Sequence, residues 1–90
     1  MDKKGIEALI EALEKNRGAG AIISICHQLY GNQKVKCDLD YIFDTDRVGV
    51  RVKSGQEIFI YRKNLMSYGT KDGIYFADDL MEIKIKLDVQ

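Results

Sequence analysis

The sequence predicts an α+β fold that is mostly β: an amino-terminal helix over residues 3–16, then a small antiparallel barrel of five or six strands over residues 21–88, in one domain spanning 1–90. Three observations predict it. Residues 34 to 52, KVKCDLDYIFDTDRVGVRV, alternate apolar and polar side chains on both sides of a turn at Thr45 and Asp46, the period-two pattern of strands with one dry face. Ile6, Leu9, Ile10 and Leu13 recur at helical spacing ahead of it, a narrow apolar stripe. Beyond residue 52, short β-branched and aromatic runs follow one another through glycine-containing turns without a single proline. A small sheet of that kind protects its edges by curling into a barrel.

Each element has its own justification. Asp2 is placed to cap the helix and Gly18 to stop it in the left-handed region, while Glu7, Glu11, Glu14 and Lys15 lie away from the apolar stripe. Residues 21 to 30, AIISICHQLY, are apolar and β-branched enough for a strand that turns at Gly31-Asn32-Gln33. Two registers compete for that first hairpin. A two-residue turn sets Cys26 against Cys37 but Ile25 against Asp38. A three-residue loop sets Leu29 against Val35, His27 against Cys37, Ile25 against Leu39 and Ile23 against Tyr41. Each apolar side chain buried is worth about 1.5–3 kcal/mol, so the three-residue loop is the expected one.

In the next hairpin, a tip at Thr45-Asp46 pairs Phe43 with Val48, Tyr41 with Val50 and Leu39 with Val52, so both apolar sets share a face. The same register opposes Asp44 to Arg47, Asp40 to Arg51 and Asp38 to Lys53. Ser54-Gly55 then turns the chain into EIFIYRKN, apolar on both faces, and residues 64–73 read as a loop with Leu65, Met66 and Tyr68 tucked inward. Ile74-Tyr75-Phe76 is a short strand and Ala77 to Leu80 one helical turn. Residues 81–87 close the fold with Ile83, Ile85 and Leu87 inward and Lys84 and Lys86 outward.

Composition bounds the function. Fourteen basic residues balance fourteen acidic ones, so no net field favours a polyanion. No apolar run approaches the roughly 18 residues of a membrane span, and the charged amino terminus is unlike a secretion signal; a cytoplasmic protein with no membrane partner is expected. Two cysteines are too few for a disulfide framework and lack a paired metal spacing.

A helix followed by short strands, ending in a strand, one turn and a closing strand (IYF-ADDL-MEIKIKL), resembles the small barrels of SH3-like and Sm-like domains. Gly31, Val35, Cys37, Leu39 and Asp44 resemble the Sm-like layout of a glycine turn, alternating apolar residues and an aspartate. The resemblance implies the barrel. It does not extend to RNA contact, because Val48 stands where the family's asparagine would follow Asp44, and no Arg-Gly follows Phe76. The closing stretch is also similar to bacterial YolD-like proteins.

Candidate chemistry is sparse. His27 is the sole histidine, so an acid or base mechanism has to use it; in the expected register it faces Cys37 within the barrel, where no substrate reaches it. Cys26, His27, Cys37 and Asp38 are metal-ligating types, but adjacent strand residues point to opposite faces. Asp38, Asp40, Asp44, Asp46, Asp78 and Asp79 read as partners of basic residues and as turn caps. No catalytic residue, metal or cofactor is therefore expected. Two surfaces remain. The outward members of Ile58, Phe59, Ile60 and Tyr61, with Ile42 over Gly49, form an apolar patch that either takes a protein partner or a second copy or is covered by the amino-terminal helix through Ile6, Leu9, Ile10 and Leu13; on the first reading a non-enzymatic interaction module is the expected function. The alternative is single-stranded nucleic-acid binding in the Sm-like manner through Tyr61, Arg62, Lys63 and Lys71.

Overall fold

A computed structural model describes residues 6–52, 54–71 and 73–87. The helix, α1 (Ile6–Lys15), is followed by β1 (Gly20–His27), β2 (Gly31–Asp38), β3 (Tyr41–Phe43), β4 (Arg47–Arg51), β5 (Glu57–Tyr61), a single 3₁₀ turn (Arg62–Asn64), β6 (Ser67–Gly69), β7 (Ile74–Ala77) and β8 (Met81–Leu87). The strands form a five-stranded sheet in the order β2-β1-β8-β7-β6 and a three-stranded sheet in the order β3-β4-β5, antiparallel throughout. Among the described residues, eight strands in two sheets thus replace the expected five or six.

The extra strands arise where the chain switches sheets. The long run from Lys34 to Phe43 breaks at Leu39-Asp40, because Leu39 turns into the core and its backbone pairs with the helix exit: its N–H donates to the Ala19 carbonyl and its carbonyl accepts from Gly18, both at 2.8 Å. Gly18 holds φ +87° there, the left-handed stop the sequence indicates. The Asp2 cap and the Asp38–Lys53 pair lie outside the described residues.

One apolar cluster joins all three layers. Leu9 and Leu13 of α1, Ile23 and Ile25 of β1, Val48 and Val50 of β4, Ile60 of β5, Phe76 of β7 and Ile83 and Ile85 of β8 are buried together. The helix packs on β3, β6 and β7, touching both sheets with the stripe the periodicity marks out.

The second hairpin has the expected register, Tyr41 opposite Val50 and Phe43 opposite Val48. At its centre Gly49 is sterically required. A Cβ there would meet the Ile58 carbonyl oxygen at 2.2 Å and Phe59 Cβ at 2.5 Å, so the glycine lets β4 and β5 approach closely beneath the Phe59 side chain.

The first hairpin departs from expectation. β1 ends at His27, the turn is Gln28-Leu29-Tyr30, and Gly31 swings the chain back with φ +83°. His27 therefore faces Gly31 instead of Cys37, Ile25 faces Gln33 and Ile23 faces Val35. Two causes override the predicted register. β1 is a central strand that must also match β8, setting Ile23 against Ile85 and Ile25 against Ile83. The His27 Nδ1 atom accepts the backbone N–H groups of Leu29 (3.0 Å) and Tyr30 (3.3 Å), which fixes the turn there.

Two further expectations are corrected. Ala77 to Leu80 is not helical: Asp78 Oδ1 accepts from the N–H groups of Leu80 (2.8 Å) and Met81 (2.6 Å), closing a tight β7–β8 turn. Residues 67–69 are a strand instead of loop, and of the three side chains expected inside, only Leu65 packs on the core while Met66 and Tyr68 are exposed.

Candidate functional site

His27, Asp44 and Asp78 use one device. Each sits at the start of a turn and accepts the N–H groups two and three residues ahead with one side-chain atom, a local closure typical of Asx-type turns. This assigns His27 a structural task at the hairpin tip, with its ring 4.6 Å from that of Tyr30. It stands away from Cys37, which faces Ala21, while Cys26 faces Asn32 on the other side of the sheet. The cysteines are unpaired, and no group of three or more histidine, cysteine or acidic side chains converges as metal ligands among the described residues.

Two of the three expected ion pairs of the second hairpin form, Asp44 with Arg47 and Asp40 with Arg51. Arg47 Nε donates to Asp44 Oδ2 at 3.0 Å, and Asp44 Oδ1 accepts the N–H groups of Asp46 (2.7 Å) and Arg47 (2.9 Å). These bonds, that from Asp46 foremost and then the Arg47 guanidinium, hold the Asp44 carboxyl below its ordinary pKa. Arg51 reaches Glu57 at 2.9 Å and Asp40 at 3.0 Å, and Asp40 lies 3.6 Å from Arg17, so a chain of charges ties the helix exit and the β2–β3 link to β4 and β5. Exposed pairs of this sort add little to stability and fix geometry instead.

The predicted apolar patch is divided by the pleat. Ile58 and Ile60 share the inner face with Tyr41, Val48 and Val50, and Ile60 is buried. Phe59 and Tyr61 point outward with Ile42, across Gly49. The Arg47 guanidinium lies 5.0 Å from the Phe59 ring and Tyr61 meets Phe59 edge-on at 5.4 Å, so these groups shield one another.

The four residues proposed for nucleic acid do not assemble. Tyr61, Arg62 and Lys63 line a small cleft with Thr45 and Asp46 at the β3–β4 tip, where Arg62 lies 5.2 Å from the Phe43 ring. Lys71 belongs to the β6–β7 turn and lines a different cavity.

A more exposed apolar surface lies at one end of the five-stranded sheet. Leu29 and Tyr30 on the β1–β2 turn are 71% and 85% exposed, Met66 before β6 is 71% exposed and Leu80 on the β7–β8 turn 43%. Adjacency in the sheet brings them to the same end: the Gln28 N–H donates to the Leu80 carbonyl at 2.9 Å, and the Met66 N–H to Ala77 at 2.8 Å. His27 and Asp78 lock the two turns. Sequence reasoning misses this surface because it counts Leu29 and Tyr30 as strand; the signal available was a side-chain acceptor two and three residues before them, with Gly31 following.

No family model, curated protein or solved structure matches the chain. The geometry alone supports the functional reading.

Proposed function

We propose that the chain is a non-enzymatic protein-interaction module of the cytoplasm, its two sheets forming a small barrel of SH3-like or Sm-like kind, and that it binds its partner through Leu29, Tyr30, Met66 and Leu80. A second copy of the chain is the simplest partner. The observation that carries this reading is that four large apolar side chains stand exposed at one end of the sheet, Leu29, Tyr30 and Leu80 on turns fixed by side-chain hydrogen bonds and Met66 beside them. Apolar groups grouped in this way are the usual mark of a protein contact, and rigid turns lose little entropy on binding. The commitment of His27 to its turn supports the non-enzymatic part. The patch of Ile42, Phe59 and Tyr61 is the weaker candidate because Arg47 already covers part of it. The Sm-like nucleic-acid reading at Tyr61, Arg62 and Lys63 finds little support, with Asp46 in the cleft and Lys71 elsewhere.

Light scattering behind a sizing column, over a concentration series, tests the proposal. The mass is expected to rise with concentration, to return to that of the monomer when Leu29→Ser is combined with Tyr30→Ser, and to be unchanged by Tyr61→Ser. A monomer at every concentration, or association abolished by Tyr61→Ser but retained in the double variant, would overturn it.

A further inference from the structure

The outer face of the five-stranded sheet is basic, although the chain as a whole is neutral. The registers define it row by row. One row across the sheet runs Gly69, Tyr75, Lys84, Ser24, Lys34; the next outward row carries Lys86, Ile22 and Lys36. Residues directly opposite in antiparallel strands share a face, so the four lysines stand on the same side as Tyr75 and Ser24. Lys34 and Lys36 are about 6.8 Å apart along β2, as are Lys84 and Lys86 along β8, and the two columns are about 9.6 Å apart across β1. Lys71 extends the group: it lines an open cavity of about 750 Å³ together with Ser24, Ser67, Tyr75, Lys84 and Lys86. Against these cations the same face sets Glu82, 3.5 Å from Lys84, and Asp38 at the end of β2. Among the described residues the other carboxylates stand on α1, around the three-stranded sheet and at the β7–β8 turn.

Tyr75 gives the face more than charge. A Cβ on Gly69 would lie 2.6 Å from the Tyr75 ring, so the half-exposed ring lies against the bare backbone of the edge strand β6. An aromatic platform beside a column of lysines fits a ligand that alternates flat apolar groups with negative charge.

We propose that this face binds single-stranded nucleic acid, with Lys34, Lys36, Lys84, Lys86 and Lys71 along the phosphates and a base stacked on Tyr75. Stacking on an aromatic ring combined with cationic backbone contacts is how single strands are held without sequence preference. An acidic protein would use the lysines but leave the ring idle, and this difference discriminates the two partners. The site is distinct from the apolar end proposed above, and either proposal can fail without the other.

The test is fluorescence anisotropy with a labelled mixed-sequence single-stranded RNA or DNA, from about 50 to about 200 mM salt, with circular dichroism confirming that each variant folds. Binding is expected with a log K against log salt slope of about −3.5, about −0.7 for each of the phosphates the five lysines neutralise. Lys84→Glu combined with Lys86→Glu is expected to weaken it at least about tenfold and to flatten the slope by about 1.4. Tyr75→Ala is expected to cost about 5- to 150-fold without altering the slope. Lys34→Glu with Lys36→Glu, on the edge strand, serves as a second charge variant with the same expectation. The proposal is overturned if no binding occurs at low salt, or if Tyr75→Ala is silent and polyglutamate competes as well as the oligonucleotide, the result an acidic protein partner would give.

Discussion

At the residue scale the most informative side chain is Asp44, which makes three hydrogen bonds as a carboxylate at a hairpin tip. Protonation weakens all of them, which is why its pKa is lowered in the folded chain. The sign of the effect on stability follows. A depressed carboxyl pKa stabilises the fold at pH values above its unfolded value of about 3.9, and the contribution is lost as the pH falls through the lower, folded value. A carboxyl titration of Asp44 by NMR is expected to give a midpoint below about 3.9, and Asp44→Asn is expected to remove this part of the acid dependence while keeping an oxygen for the turn. A midpoint at or above the unfolded value would contradict the arrangement. His27 teaches the complementary lesson. Its residue type invites a catalytic reading, yet its nitrogen is spent on two backbone N–H groups.

At the element scale, legibility in the sequence tracks how local each constraint is. The stripe Ile6, Leu9, Ile10 and Leu13 announces α1 and its buried side, and the Asp44–Arg47 turn announces the β3–β4 register, because in both cases the residues that decide lie within a few positions of each other. The β1–β2 register is not legible in that way. It is set by β8, sixty residues on at the Ser24–Lys84 pair, and no comparison of β1 with β2 alone could weigh that. The same error conceals the candidate site, since misplacing the turn by a few residues turns Leu29 and Tyr30 from displayed groups into buried ones. The helix gives the expected outcome at this scale. Leu13 is fully buried where α1 meets both sheets, so Leu13→Ala is expected to cost about 2–5 kcal/mol, read as a lowered urea midpoint. A loss below about 0.5 kcal/mol, the range of an exposed position, would mean that the helix is not part of the core.

For the whole molecule, charge and apolarity are partitioned. The apolar end, the basic sheet face and the ion-paired surface around the β3–β4 hairpin are separate parts of one small body, and an overall charge of zero hides the basic face. Composition therefore argues against a polyanion ligand, while the strand register assembles a basic face. Surfaces that share no residues are expected to act additively. Combining Leu29→Ser and Tyr30→Ser should leave oligonucleotide affinity unchanged within about twofold, and combining Lys84→Glu with Lys86→Glu should leave the concentration dependence of the mass unchanged; this is checked with the anisotropy and light-scattering measurements already described. Strong cross-talk would mean that the two surfaces are one.

The order β2-β1-β8-β7-β6 has a kinetic corollary. Among the described ladders, all but one join strands adjacent along the chain, each able to zip from its own turn; only β1 with β8 does not. Bringing those two strands together closes a loop of about 60 residues, whose entropic cost grows only logarithmically with length but comes before any contact repays it. The hairpins can flicker into existence independently, whereas the five-stranded sheet exists only once this single joint is made. The joint lies inside the sheet, between the β1–β2 hairpin and the β6–β7–β8 meander, so its closure is the step that aligns the two lysine columns.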